Sequence, residues 1–385
     1  VCTLRDLERL QAGAPQAVIL LDLVYTEFAD EDLTPRAISI PNVVIVRSLS
    51  KAYGLAGLRI GYAVASRPII SLLRSVGCPF PVAGPSLVLA EARLREHENE
   101  IQAFIERVRI ERRELYEILR TLGADPLPSQ GNFILAGFRN ALWVRQGLAS
   151  LGILVRIFQN QPLLKGKLRI TCPGSEKDFS RLTSALRTIL RPQGILFDLD
   201  GVLADVRESY RRAVRETARS FGVELSLEEI ARAKWEPGSN NDWKLTKRLL
   251  EAHGAVVDLQ EVTERFEALY QGTRERPGLR RAERLRIDPG FLRRIGETYA
   301  LGIVTGRPRR DALRFLEENR IAGVFKAIVC MEDAPLKPDP QPVRLALLKM
   351  GIEHAWMIGD TPDDILAARA AGVLPLGPVS YTHLR

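Results

Sequence analysis

The feature that most restricts this 385-residue chain is a repeated one: short apolar runs that stop abruptly at a residue able to do chemistry. QAVILLD (16–22) ends at Asp22, Val43–Val46 runs into RSLSK, and GILF (194–197) runs into DLDG. YALGIVTG, FKAIVCM and AWMIGD repeat the pattern further on. Such runs read as strands buried on both faces, which is how parallel sheets are written in sequence. In open parallel sheets, ligands bind beyond the carboxyl ends of the strands. The polar residues that end these runs are therefore the first candidates for function.

Helical stretches separate the runs. Between Glu96 and Gly123, Ile101, Phe104, Ile105, Val108, Leu115, Ile118 and Leu119 recur at spacings of three, four and seven, one face of a helix with a packing role. A strand at NFILAGF, a helix near 141–150, strands at ILVRIF and KLRIT, and a helix capped by Ser175 follow. A proline-containing joint, RPQ at 191–193, precedes GILFDLDG. The length implies two or three domains, and the joint divides them into 1–190 and 194–378. Strand–helix alternation resumes after it, so the second piece reads as a doubly wound parallel sheet with a helical insert over about 207–285.

VCTLRDLERL does not begin with Met and lacks a signal pattern, so the chain reads as a fragment. VSYTHLR (379–385) reads as a translated sequencing-adapter scar and is left out of the fold.

Composition excludes several classes. No apolar run approaches the roughly 20 residues that span a bilayer, so no membrane partner is expected. The formal charge is +8, from 55 Lys+Arg against 47 Asp+Glu. Without a basic run of five or a basic–aromatic stretch, this balance suits phosphorylated small-molecule substrates rather than nucleic acid. Cys2, Cys78, Cys172 and Cys330 have neither metal-like nor redox-like spacing, as expected of reduced thiols in the cytoplasm.

The first chemical constellation is Asp22-Leu-Val-Tyr25, Ser48-Leu-Ser50-Lys51 and Gly57-Leu-Arg59, each expected at the C-terminal end of a strand. The set suits pyridoxal phosphate: a lysine amine for the Schiff base, a carboxylate for the pyridine nitrogen, and hydroxyls and a guanidinium for the phosphate. SLSKAYGLAGLRIGY resembles the Schiff-base segment of fold-type I aminotransferases, and most closely that of the histidinol-phosphate aminotransferases. The resemblance covers residues 5–190. It implies Lys51 as the Schiff-base lysine, Asp22 as the pyridinium partner, Tyr25 as donor to the ring hydroxyl, and Ser48, Ser50 and Arg59 on the phosphate. It further implies Arg156 and Arg169 on the anionic end of the substrate, with Asn132 at another family position. Leu23 and Val24 depart from the family's D-E-A-Y. The resemblance also implies that the family's N-terminal half is absent here, so that transamination and homodimerisation belong to the full-length protein.

The second constellation opens with Asp198-Leu-Asp200-Gly201 after GILF, two carboxylates one residue apart at a strand end. One suits a nucleophile and metal ligand, the other a general acid and base. A divalent cation is needed because an anion must attack an anionic phosphate. Thr305-Gly306-Arg307, Lys337 in LKPDP, and Gly359-Asp360 with Asp364 complete four motifs that resemble those of the haloacid dehalogenase-like superfamily. The resemblance implies Asp198 as nucleophile, Asp200 as acid/base, Thr305 and Lys337 on the phosphoryl group, and magnesium held by Asp198, Asp360, Asp364 and the Asp200 carbonyl. It also implies that 207–285 is a helical cap. Within it, Gly238-Ser-Asn-Asn-Asp-Trp243 is either a solvated loop with a packing Trp or a specificity loop.

Together the resemblances imply a bifunctional chain of histidine biosynthesis, with transamination followed by removal of phosphate from histidinol phosphate. Two alternatives stand beside it: a phosphatase for another small ester, phosphoglycolate-like, joined to an aminotransferase of different substrate; or an aminotransferase piece that serves as a dimerising module.

Overall fold

A computed structural model describes residues 3–158, 160–234, 236 and 241–377. Residues 379–385 and Gly238–Asn240 therefore lie outside the described residues. The chain divides into two compact units: residues up to Arg145 with Leu154–Thr183, and Gln146–Ile153 with residues from Ser184 onward. The joint at 191–193 falls inside the second.

In the first unit, strands Ile19–Asp22 and Val43–Ser48 pair in parallel, with Leu21 opposite Ile45 and Asp22 opposite Val46. Gly61–Val64 adds antiparallel to the second, Ser48 facing Gly61. Leu7, Leu21, Ala37, Val43 and Ile45 form the core beneath them. Gly57-Leu-Arg59 thus lies before a strand, not after one as the sequence suggested. The apolar run at LRIGYAVA does not reveal direction, but because this strand is antiparallel, its beginning falls at the edge where Val43–Ser48 ends.

A second sheet orders Asp125–Pro126, Phe133–Gly137, Lys167–Thr171 and Arg156–Ile157, antiparallel throughout. The helix Glu98–Thr121 packs on it, burying Ile101, Ile105, Val108, Leu115 and Leu119, as the periodicity predicts. Two buried charges on that helix serve the loops. Arg112 donates to the carbonyls of Phe28 (2.7 Å) and Gly131 (3.1 Å); Glu111 accepts the Gly174 N–H at 2.7 Å. Charge-assisted bonds of this kind contribute about 1.5–3 kcal/mol each. They tie down the segments next to Tyr25 and Phe133.

The second unit is built on a five-stranded sheet in the order Ala327–Val329, Ala300–Val304, Gly194–Phe197, Ala355–Ile358, Leu374–Leu376, all parallel. The central strand GILF is buried at every position, which explains its unbroken apolar run. The fold class read from sequence holds in both units. Helices Tyr210–Ser220, Leu227–Lys234, Asp242–Ala252 and Leu259–Gln271 form the insert, closed around Val214, Ile230, Leu250, Val262 and Phe266. The insert is framed by a two-stranded ribbon, Ala204–Asp205 with Arg284–Leu285. Thr188 belongs to this unit: its carbonyl accepts the Trp356 indole N–H at 2.8 Å and its hydroxyl lies 3.1 Å from His354 Nδ1. No described helix is long and apolar enough to cross a membrane.

Candidate active sites

In the second unit the sheet delivers the motif residues to one edge. Asp198 follows Gly194–Phe197 directly, and its N–H donates to the Ile358 carbonyl at 2.8 Å, which locks it to the neighbouring strand. Thr305 follows Ala300–Val304, its N–H bonded to the Val329 carbonyl at 2.9 Å. Asp360 follows Ala355–Ile358. Asp364 sits in the first turn of the helix Pro362–Ala370, where it forms a capping box with Thr361 and accepts that residue's N–H at 3.0 Å.

Oxygens of Asp198, Asp360 and Asp364 all lie within 4.8 Å of one another. Lys337, buried at 3% exposure, donates to Asp198 Oδ1 at 2.8 Å, Asp364 Oδ1 at 2.5 Å and the Val304 carbonyl at 3.0 Å. Gly201 turns the chain away from Asp200 with φ of 75°. A Cβ there would stand 1.8 Å from Asp360 Oδ2, so only glycine lets the loop approach the cluster.

Burial, and then the carboxylates of Asp364, Asp360 and Asp200, push the Asp198 carboxyl well above its ordinary range against the pull of Lys337. Burial and Asp364 push Asp360 to about 6. Lys337 is raised in turn by Asp198 and Asp364, which outweigh the burial that lowers it. Four carboxylates share this corner with two cations, Lys337 and Arg307. A divalent cation cancels the excess, and carboxylate oxygens are the donors magnesium takes. The residues fit that ion.

A cavity of about 80 Å³ at this edge is lined by Asp198, Asp200, Tyr210, Lys234, Asp242 and Asp360. Lys234 and Asp242 come from the helical insert and pair at 2.6 Å. Of the polar hexapeptide, Asn241 caps the helix that follows by accepting the Lys244 N–H at 3.0 Å. Trp243 packs against the core of the unit, and with Asn241 it also borders a pocket shared with Asp200.

In the first unit Asp22, Tyr25, Ser48, Ser50 and Lys51 lie at or just beyond the ends of the parallel strands, while Arg156 and Arg169 belong to the antiparallel sheet. Asp22 and Tyr25 line a cavity of about 560 Å³ together with Leu21, Gly131 and Phe133. The Asp22 carboxylate accepts the Val24 N–H at 3.1 Å. Ser48 Oγ accepts the Ser50 N–H at 3.0 Å, which folds the turn that presents Lys51. The Lys51 ammonium stands 5.5 Å from the centre of the Tyr25 ring. Tyr25 meets Phe133 edge-on at 5.4 Å, and the Arg169 guanidinium lies 5.1 Å from the Phe133 ring. Arg156 is the strand partner of Arg169 and is exposed, lying against Phe158. Arg169 Nε is buried with no hydrogen-bond partner among the described residues. Arg59 takes a left-handed conformation, φ 58°, and bonds the Ala56 carbonyl at 3.1 Å. Of the predicted cofactor residues Asp22 and Tyr25 line the cavity, while Ser48, Ser50, Lys51 and Arg59 stand outside its lining, at and beyond the end of the neighbouring strand; their amine, carboxylate, phenol, hydroxyls and guanidinium are the donor types that pyridoxal phosphate takes.

Sequence reasoning missed Phe133, the ring between Tyr25 and Arg169. GNFIL carries the signal, since Phe133 directly follows Asn132. Lys234, Asp242 and Glu283 were also missed, because nothing in their local sequence marks them.

Each of the two α/β bodies carries one strand-end constellation. Residues 1–186 match the family described as aminotransferase class I and II, and residues 195–376 match the haloacid dehalogenase-like hydrolases. Each match covers a little under half of the chain, the first over its N-terminal part and the second over its C-terminal part. Among curated relatives, imidazoleglycerol-phosphate dehydratase of Phytophthora nicotianae is 44% identical over 193 residues, covering 48% of this chain and 43% of that protein. Histidinol-phosphate aminotransferase of Thermoanaerobacter is 36% identical over 177 residues, covering 45% of this chain and 49% of that protein. The crystal structure of histidinol-phosphate aminotransferase from Sinorhizobium meliloti with pyridoxal-5'-phosphate is 28% identical, covering 48% of this chain and 53% of that one, with a TM-score of 0.42. The chain spans about half the length of these relatives.

Proposed function

We propose that the chain joins two consecutive activities of histidine biosynthesis: transamination of the histidinol-phosphate type in residues 1–190, and hydrolysis of a phosphate monoester, histidinol phosphate itself, in residues 194–378. The observation that carries the second activity is the convergence of Asp198, Asp360, Asp364 and Lys337 at one strand edge.

Magnesium held by Asp198, Asp360, Asp364 and the Asp200 carbonyl supplies the positive charge that lets two anions meet. A carboxylate oxygen of Asp198 attacks phosphorus, and the ester P–O bond breaks to leave an aspartyl-phosphate. Asp200 gives its proton to the departing oxygen, then takes one from the water that releases phosphate. Thr305 and Lys337 hold the phosphoryl oxygens. The helical insert would serve as the cap over this cavity, a reading supported by Lys234 and Asp242, which it contributes to the lining.

In the first unit, pyridoxal phosphate bound through Lys51 supplies an electron sink for amino transfer. Asp22 holds the pyridine nitrogen, Tyr25 the ring hydroxyl, and Ser48, Ser50 and Arg59 the phosphate. Arg156 and Arg169 take the anionic end of the substrate, and the unpartnered Nε of Arg169 supports that role. Transamination is proposed for a protein that includes the remaining length of the relatives, as a cytoplasmic homodimer formed through the aminotransferase part. The product of such a step carries the phosphate monoester that the second unit would remove, which is what makes their joining useful.

The test is phosphate release from histidinol phosphate and a panel of small esters, with magnesium and with chelator. Wild type should release phosphate only with the metal, and Asp198→Asn should retain the fold while turnover collapses. A folded protein that releases none from any ester, or an Asp198→Asn variant as active as wild type, defeats the hydrolase reading.

A further inference from the structure

Arg307 ends the Thr305-Gly306-Arg307 motif, yet neither the phosphoryl group nor the metal gives it a task. Its side chain is the largest among the fully buried ones, at 1% exposure. Nε donates to Asp200 Oδ1, and Nη2 lies 2.5 Å from the same oxygen. Nη1 donates to Glu283 Oε2 at 2.9 Å and stands 3.4 Å from the Tyr270 hydroxyl, which itself donates to Glu283 Oε1 at 3.0 Å. The guanidinium carbon is 4.9 Å from the Tyr210 ring and 5.4 Å from the Phe315 ring. Carboxylates on two sides and aromatic rings against the fork leave it no freedom to turn.

The planar guanidinium holds Oδ1 alone, through the Nε hydrogen bond with Nη2 beside it, so it limits the swing of the carboxylate and leaves Oδ2 for the substrate, which a flexible lysine ammonium cannot do as well. Asp200 is more open to solvent than Asp198 and Asp364, with 31% of its side chain exposed against 7% and 1%. Glu283 sits just before the ribbon strand Arg284–Leu285, where the helical insert returns to the sheet.

We infer that Arg307 is a positioning residue for the phosphatase reaction, aiming the Asp200 carboxylate at the leaving-group oxygen and anchored for that purpose by Glu283. The inference rests on the hydrolase reading above. When the ester P–O bond breaks, the electron pair goes to the leaving oxygen, and the proton that neutralises it comes from Asp200. A misaimed Asp200 therefore penalises esters whose leaving groups need that proton and spares those that depart unaided.

The experiment compares kcat/KM for phenyl phosphate and p-nitrophenyl phosphate in wild type, Arg307→Lys and Glu283→Gln, with magnesium, after thermal melts establish that each is folded. The two esters are close in size, but nitrophenolate leaves without help. Arg307→Lys should lower kcat/KM for phenyl phosphate at least tenfold more than for p-nitrophenyl phosphate. Glu283→Gln, which loosens the other end of the fork, should shift the ratio in the same direction by a smaller factor and decides the matter if Arg307→Lys does not fold. Equal losses on both esters in a folded variant overturn the inference. No hydrolysis by wild type overturns the hydrolase reading instead.

Discussion

Removing the charge of Asp360 should stabilise the metal-free protein at pH 7 while abolishing its response to magnesium. Asp360 moves from an ordinary 3.8 to about 6 because it is partly buried beside Asp364 and Asp200. That difference corresponds to about 3 kcal/mol against the ionised folded form. The folded state holds this proton more tightly than the unfolded chain. Between pH 4 and 6 the unfolded state thus binds fewer protons, and metal-free stability falls as pH rises through that window. Asp360→Asn removes the penalty, so at pH 7 the metal-free variant should exceed metal-free wild type by up to about 3 kcal/mol. For a body of this size that is about 6–12 °C in Tm. Magnesium at a hundredfold excess over its Kd should return about 2.7 kcal/mol to wild type and little to the variant. Thermal melts in chelator and in magnesium, at pH 5 and pH 7, read all of this. A metal-free Asp360→Asn protein clearly less stable than wild type at pH 7, or equal stabilisation of both by magnesium, refutes the reasoning.

Three further outcomes are expected. Gly201→Ala places a methyl group against Asp360 in a left-handed backbone, so it should cost about 1–3 kcal/mol and weaken magnesium binding by calorimetry. In a protein that includes the rest of the aminotransferase fold, borohydride reduction with pyridoxal phosphate followed by peptide mapping should label Lys51; a label on another lysine contradicts the assignment. In the same protein, Arg169→Ala should raise KM for a phosphorylated amine by about 2 kcal/mol in binding, the value of a charge-assisted contact. Unchanged kinetics would show that Arg169 does not meet the substrate.

The catalytic motifs were readable because each is short and sits where a buried run ends. Asp198, Thr305 and Asp360 needed only the observation that GILF, ALGIV and AWMI are unbroken apolar strands. The partners of those residues were not readable. Arg307 and Asp200 are 107 positions apart, and Glu283 meets Arg307 across 24. No periodicity links such pairs; they meet because the insert folds back along the ribbon. The strand Gly61–Val64 shows a different limit: its apolar pattern announces a strand and leaves its direction open, which misplaced Arg59 by one end.

The position of Thr188 has a consequence for anyone cutting this protein apart. The natural place to divide the gene is the proline joint at 191–193, yet the backbone carbonyl beneath Trp356 lies upstream of it. A hydrolase excised at Gly194 would lose the surface against which one of its central strands is seated, and its indole emission should shift accordingly. A cut before Ser184 keeps the end of the helix carrying Thr188 with its body and parts from it only Gln146–Ile153. The seam between the two family matches and the seam between the two compact units fall at different residues, so two segments that look separable on paper meet in a stretch of chain that only one of them can keep.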